Sequence, residues 1–325
     1  MPVRNTRLLI AHFILIGYFF GGATAWSAPL DLAWVGHSLV PIHTRDLMQA
    51  VLDEEGVASS IVIQVAPGGS LRMNWQRPDS GVDSFHQTRN VKDDELPRGL
   101  FGKFMFTEAI PVQSQISYAE SFTYAQRWVE LAAEFRADAE IYLFEGWPAW
   151  SWRDGVLWDA FRGQPWLDSV RGQDREAWRS IAAHVTNSTG REITVIPAAQ
   201  ALAIIYFDIA AGRAPAELRW EDMWADDIHF TGSWAGGNAN GRHLMAALKL
   251  TAIFGLDPRG MTEDVAHPTG DPNQTQYALR TSSPAVKLYL EEVAYALVQS
   301  NPYQTLLSDE RSPPLPPYDV IASTP

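Results

Sequence analysis

The chain has 325 residues, 46% of them hydrophobic and 19% charged, with a formal net charge of -13 at pH 7. That composition belongs to a protein that buries a core, and the length suits one large domain with insertions better than two independent ones. The acidic balance, with no clustered Lys/Arg run, excludes a nucleic-acid partner, because phosphate-backbone binding displaces counterions with grouped cations. With Cys 0, disulfides, thiolate metal sites, cysteine lipidation and a cysteine nucleophile are all excluded.

Arg4 and Arg7 precede an apolar run from Leu8 to Phe20, and Gly21-Gly22-Ala23-Thr24-Ala25-Trp26-Ser27-Ala28 follows. A basic start, a short apolar stretch and small residues at Ala25 and Ser27 read as a secretory signal peptide over residues 1–27. The expected mature start is Ala28, with a cut after Ala25 as the alternative and an uncleaved N-terminal anchor as the competing reading. The expectation is therefore an exported protein, periplasmic or secreted, with no stable membrane insertion after cleavage.

Leu32-Ala33-Trp34-Val35, stopped by Gly36, reads as a buried strand, and Pro41 with the stripe Leu47, Val51 and Leu52 reads as a helix closed by Gly56. Ser59 to Val65 is β-branched and apolar, a second strand ending at Pro67-Gly68-Gly69. Asn74 to Arg98 is polar and reads as an irregular surface excursion. A third strand is predicted at Phe104-Met105-Phe106, a helix over Tyr118 to Phe135, and a fourth strand at Ile141 to Phe144. Six tryptophans, Trp147, Trp150, Trp152, Trp158, Trp166 and Trp178, of the 13 in the chain fall in an insertion at about 146–178. A helix from Arg175 to Val185 leads to a fifth strand at Ile193 to Ile196, and helices are expected over Arg242 to Phe254 and Ala285 to Val298. Strands alternating with helices predict an α/β domain, residues 28–300, with a parallel sheet covered on both faces. Pro313, Pro314, Pro316 and Pro317 make 301–325 an extended tail.

Ligands of an open parallel sheet bind beyond the carboxyl ends of its strands. Those ends carry Gly36-His37-Ser38, Gly68-Gly69, Thr107-Glu108 and Glu145-Gly146-Trp147, and Ala225-Asp226-Asp227-Ile228-His229 lies far downstream. A serine hydroxyl becomes a nucleophile when a histidine takes its proton, and the histidine works best when a carboxylate fixes its tautomer. Asp226 and His229 stand three residues apart, so one turn can join them while the second ring nitrogen faces a serine from another loop. Ser38, between a strand end and a helix start, would aim backbone N–H groups at a developing oxyanion, and Gly68-Gly69 would let a second donor approach.

Gly36-His37-Ser38 resembles the first block of the SGNH/GDSL hydrolases, and Asp226-Asp227-Ile228-His229-Phe230-Thr231 resembles their Asp-x-x-His fifth block. Gly68-Gly69-Ser70 is similar to the second block, whose glycine supplies an oxyanion N–H. Over roughly residues 31–255, the resemblance implies a flavodoxin-like three-layer sandwich with a central parallel sheet of five strands. It further implies hydrolysis of esters, often acetyl groups on carbohydrates, with no cofactor and no metal, by Ser38, His229 and Asp226. The third block departs: the family's Gly-x-Asn-Asp asparagine, an oxyanion donor, is missing where this chain has Thr107-Glu108-Ala109-Ile110-Pro111. Thr107, a protonated Glu108, Asn74 and Trp147 are the open candidates for that donor and for substrate contact.

Alternatives stand beside each reading. His229 could be a buried structural histidine, and Asp227 competes with Asp226 as its carboxylate. His37 either binds substrate or bonds locally. The tryptophan-rich insertion is either a rim for sugar rings or a satellite core under a long loop. Glu108 and Glu145 could instead be the paired carboxylates of a glycosidase. An acetyltransferase using the same three residues and a catalytically silent carbohydrate-binding protein complete the field. The partner expected in the leading case is a small-molecule or glycan ester.

Overall fold

The computed structural model describes residues 31–39, 42–80, 89–230, 238–265, 277–278 and 280–300. The leader, Pro41, Thr231 and the proline-rich tail lie outside the described residues. In chain order the first elements are β1 (Leu32–Gly36), α1 (Ile42–Glu54), β2 (Ile61–Val65), α2 (Leu71–Gln76), β3 (Lys103–Phe106), α3 (Val112–Tyr118), α4 (Ser121–Phe135) and β4 (Glu140–Phe144). The insertion contributes β5 (Trp150–Arg153), β6 (Val156–Asp159) and the single turn α5 (Trp166–Asp168). After it come α6 (Arg175–Thr189), β7 (Ile193–Ile196), α7 (Ala198–Ala210), α8 (Asn240–Phe254), β8 (Asp264–Val265), β9 (Tyr277–Ala278) and α9 (Pro284–Ser300).

The main sheet is five-stranded, in the order β2-β1-β3-β4-β7, with every neighbouring pair parallel. This is the flavodoxin-like order, and its direction of winding reverses between β1 and β3. Alternation along each strand sorts side chains to two faces. Trp34, Ile63, Met105, Phe144 and Ile196 pack with α1, α7, α8 and α9. Ala33, Val35, Phe104, Phe106, Leu143 and Val195 pack with α4 and α6 on the other side. The domain is thus an α/β three-layer sandwich, and the crevice beyond β1 and β3 is where such a fold presents a ligand site. Among the described residues no helix is long and apolar enough to cross a membrane.

Two expectations are corrected, and one helix is new. The helix predicted over Tyr118 to Phe135 is broken at Ala119-Glu120, where Glu120 takes a left-handed φ of 56°. The supposed irregular excursion begins with α2, capped by the Ser70 hydroxyl accepting from the Met73 N–H, and it later sinks Val91 and Leu96 into the core. The buried Gln64 side chain accepts the Val91 N–H at 2.9 Å and stands in for a sheet partner there. Helix α7 was not foreseen: Ala198 through Ile205 is buried without interruption, so no polar face marks its helical period.

The insertion is an antiparallel hairpin, β5 against β6, followed by a loop braced by ion pairs. Arg162 reaches Asp159 at 2.7 Å and Asp174 at 2.6 Å. Trp147, Trp166 and Trp178 are fully buried and Trp150 is half-buried, while Trp152 alone of the six is exposed, at 43%. Trp147 and Trp166 join the core on one face of the sheet and Trp178 the core on the other, so these three rings form neither a sugar rim nor a separate satellite core.

Candidate active site

Strand β1 ends at Gly36, and the turn that follows carries Ser38 into the crevice beside the turn 225–229. His229 Nε2 lies 3.1 Å from Ser38 Oγ, and His229 Nδ1 lies 2.8 Å from Asp226 Oδ2. An ionised carboxylate only accepts, so Nδ1 carries the proton and donates it, leaving Nε2 with a lone pair for the Ser38 hydroxyl. The second Asp226 oxygen accepts two backbone N–H groups, from Ile228 at 2.8 Å and His229 at 2.6 Å. Burial acts to raise the Asp226 carboxyl, but these N–H donors and the His229 ring outweigh it and hold the group below the usual aspartate value. The pair is open to water, with side chains 42% and 51% exposed for His229 and Asp226.

What seats this turn is the residue after the histidine. Ala225 N–H donates to the His229 carbonyl at 2.7 Å, and Phe230 bridges back to Trp224, closing the loop on itself. The Phe230 ring lies 4.7 Å from Trp147 and 4.8 Å from Trp224, between centroids. It rests on Gly241 near the start of α8, where an added Cβ would sit 2.1 Å from the ring. The insertion grips the other side: Trp147 Nε1–H donates to the Ile228 carbonyl at 2.9 Å, and Trp150 N–H to the Asp227 carbonyl at 2.8 Å. Phe230, Gly241 and Trp224 are functional supports that the sequence reading missed, although an aromatic directly after the histidine was in view.

Several expected site residues are placed elsewhere. Ala66-Pro67-Gly68-Gly69 forms a tight turn in which Gly68 needs its positive φ of 64°, and Gly69 N–H donates to the Ala66 carbonyl at 2.8 Å. The Gly69 N–H is thus spent inside the turn, and its role as an oxyanion donor is corrected; Gly68 serves the turn. The Asn74 amide donates to the Gly36 and Ser70 carbonyls at 3.0 and 3.1 Å, which occupies both of its hydrogens. Thr107 is 1% exposed and Trp147 1% exposed, the latter with its N–H committed to Ile228, so neither meets substrate. Asp227 is exposed and gives only its carbonyl to Trp150.

Glu108 and Glu145 are both 0% exposed. Glu108 Oε1 accepts Leu71 N–H at the start of α2, at 3.1 Å, and Ala109 N–H at 2.7 Å. Burial pushes its carboxyl up to about 7, against those bonds. Glu145 does the same service for α7, accepting Ala199 N–H at 3.1 Å and the Gln200 side-chain N–H at 2.9 Å. Two buried carboxylates holding helix N-termini cannot flank a glycosidic bond, so the glycosidase reading is withdrawn, as is Glu108 as a substrate contact.

No protein-family model matches the sequence, and no curated protein matches it. Among solved structures, a DUF4886 family protein from Bacteroides uniformis is similar over 83% of this chain and 95% of its own, at 15% identity and a TM-score of 0.49. A GDSL-like lipase from Bacteroides thetaiotaomicron covers 70% of this chain and 89% of its own, at 13% identity and a TM-score of 0.38. A phospholipase A1 from Streptomyces albidoflavus covers 65% and 96%, at 11% identity and a TM-score of 0.34. Likeness at this level carries nothing about what the present chain does; its own geometry has to carry that.

Proposed function

We propose that the protein is an exported serine hydrolase of the SGNH type that cleaves carboxylic esters through an acyl-enzyme. The observation that carries this reading is the unbroken series Asp226 Oδ2, His229 Nδ1, His229 Nε2, Ser38 Oγ, with separations of 2.8 and 3.1 Å at its two contacts. In the first step His229 Nε2 takes the hydroxyl proton as Ser38 Oγ attacks the ester carbonyl. Asp226, ionised and held by two backbone donors, stabilises the imidazolium that forms. The proton then passes to the departing alkoxide, the C–O bond breaks, and an acyl-Ser38 remains. Water enters, gives its proton to His229, and releases the acid and the free serine.

The oxyanion falls to the backbone N–H of Ser38 at the strand end, with the second donor from outside Gly69, Asn74 and Glu108, all committed elsewhere. Acetyl groups on carbohydrate are the proposed substrate class, on the strength of the sequence resemblance, and export rests on the leader. The spent Gly69 donor favours one second reading, a silent carbohydrate-binding protein that keeps the fold. A fluorophosphonate probe separates the two: the hydrolase labels at Ser38 and hydrolyses an aryl acetate, and Ser38→Ala loses about a millionfold in turnover. A folded wild-type protein that neither labels nor hydrolyses the acetate would leave the silent reading.

A further inference from the structure

His37, directly before the serine, has no part in the proton relay, yet it is 2% exposed and both of its ring nitrogens are engaged. Leu39 N–H reaches His37 Nδ1 at 3.4 Å, so Nδ1 is unprotonated; Nε2 then carries the hydrogen and donates it to the Glu108 carbonyl at 2.9 Å. A neutral imidazole satisfies both bonds, whereas an imidazolium has no acceptor for Leu39. The first bond closes a ring around Ser38, from the residue before it to the residue after it. The second pins that ring to the loop beyond β3. That loop is tied in turn to the start of α2, through the Glu108 side chain and Leu71 N–H at 3.1 Å.

Resting on the serine-hydrolase reading, we propose that His37 is a positioning residue, a neutral strut that fixes the Ser38 backbone so that Oγ stays in line with His229 Nε2. The reacting geometry is sensitive to small displacements: a shift of about 1 Å costs about a hundredfold in rate. Neutrality matters as well as shape. His229 turns cationic when it takes the serine proton, and a charged neighbour would oppose that. Burial pushes His37 down to about 4, the Glu108 carbonyl raises it in part, and the nearby His229 lowers it further. Among the described residues, the titratable groups that act on it are His229 and, through its carbonyl, Glu108.

Two variants and one spectroscopic measurement test the strut. His37→Gln keeps a long side-chain N–H able to reach the Glu108 carbonyl, while His37→Asn is too short to do so. With both checked as folded by circular dichroism, His37→Asn is expected to lose about a hundredfold in kcat for an aryl acetate and in fluorophosphonate labelling, at unchanged KM. His37→Gln is expected to recover most of that loss. Equal activity in wild type and His37→Asn, or equal loss in both variants, overturns the proposal. On wild-type protein, nitrogen NMR of the imidazoles should show His37 as the Nε2–H tautomer throughout the neutral range. The Nδ1–H form, or titration near the ordinary value of 6.5, overturns it even if both variants fail to fold. Absence of labelling in the wild type is a different result: it removes the hydrolase reading itself, and the role of His37 with it.

Discussion

Asp226 and the glutamates that close β3 and β4 offer the same functional group at the same edge of the sheet, in opposite circumstances. Asp226 is 51% exposed and held ionised by N–H donors and a histidine, so its charge faces the ring whose far nitrogen meets Ser38. Glu108 and Glu145 are 0% exposed, and each turns an oxygen back onto a helix N-terminus. A buried carboxyl at a strand end serves the frame, whereas Asp226, on an exposed turn, faces a histidine. What decides is whether a carboxylate's hydrogen-bond donors leave it facing solvent beside a titratable partner or bury it against backbone.

The sharpest way to break this comparison is to substitute a residue of each class in turn. Asp226→Asn should cost about ten-thousandfold in kcat, because the amide favours the wrong histidine tautomer, with the melting temperature little changed. A rate within tenfold of wild type would mean that His229 does not depend on Asp226. Next in size is Gly241→Ala, whose Cβ would meet the Phe230 ring at 2.1 Å and push the histidine turn off its seat. About a hundredfold loss of kcat is expected, and a crystal structure of the variant should show Phe230 and His229 displaced together. Glu145→Ala should behave in the opposite way: about 2–3 kcal/mol of stability lost by urea denaturation, since Ala199 N–H and the Gln200 amide lose their acceptor, with activity per folded molecule preserved.

The smallest effect is a pH dependence at Glu108. Its folded value is raised from 4.5 to about 7 by burial, so the folded protein keeps a proton that the unfolded chain has lost. The stability it contributes is full below 4.5 and disappears as pH rises through about 7. Asp174, raised by burial to about 6, contributes with the same sign, so the informative quantity is the difference between wild type and Glu108→Gln in urea midpoints taken across that range. The variant should flatten part of the decline; superimposable curves would remove Glu108 from the account.

The amphipathic and β-branched segments were legible. The five strands of the sheet and helices α1, α4, α6, α8 and α9 all stand within a few residues of where their periodicity places them. Helix α7 was illegible because a segment buried on every side shows no period, and α2 because its six residues are too short for one to develop. At the site, Ser38, Asp226 and His229 could be picked out because their spacing and order have a chemical meaning that neighbours in sequence can express. The oxyanion donors could not. A backbone N–H has no side chain to mark it, and whether Gly69 offers its hydrogen outward or closes a turn onto Ala66 depends on local backbone geometry.

Sequence alone determined the alternation of elements and the identity of the residues able to do chemistry, because both are written in side-chain type and short-range spacing. Only the tertiary structure decided which of those residues meet. Ser38 and His229 stand 191 positions apart, and they come within 3.1 Å because the strand order sets β1 inside the sheet, between β2 and β3, and Phe230, Trp147 and Gly241 seat the histidine turn beside it. The same packing took Glu108 and Glu145 out of solvent and gave their oxygens to backbone N–H groups at helix starts. Burial and long-range contact are properties of the folded whole, so no window along the chain contains them.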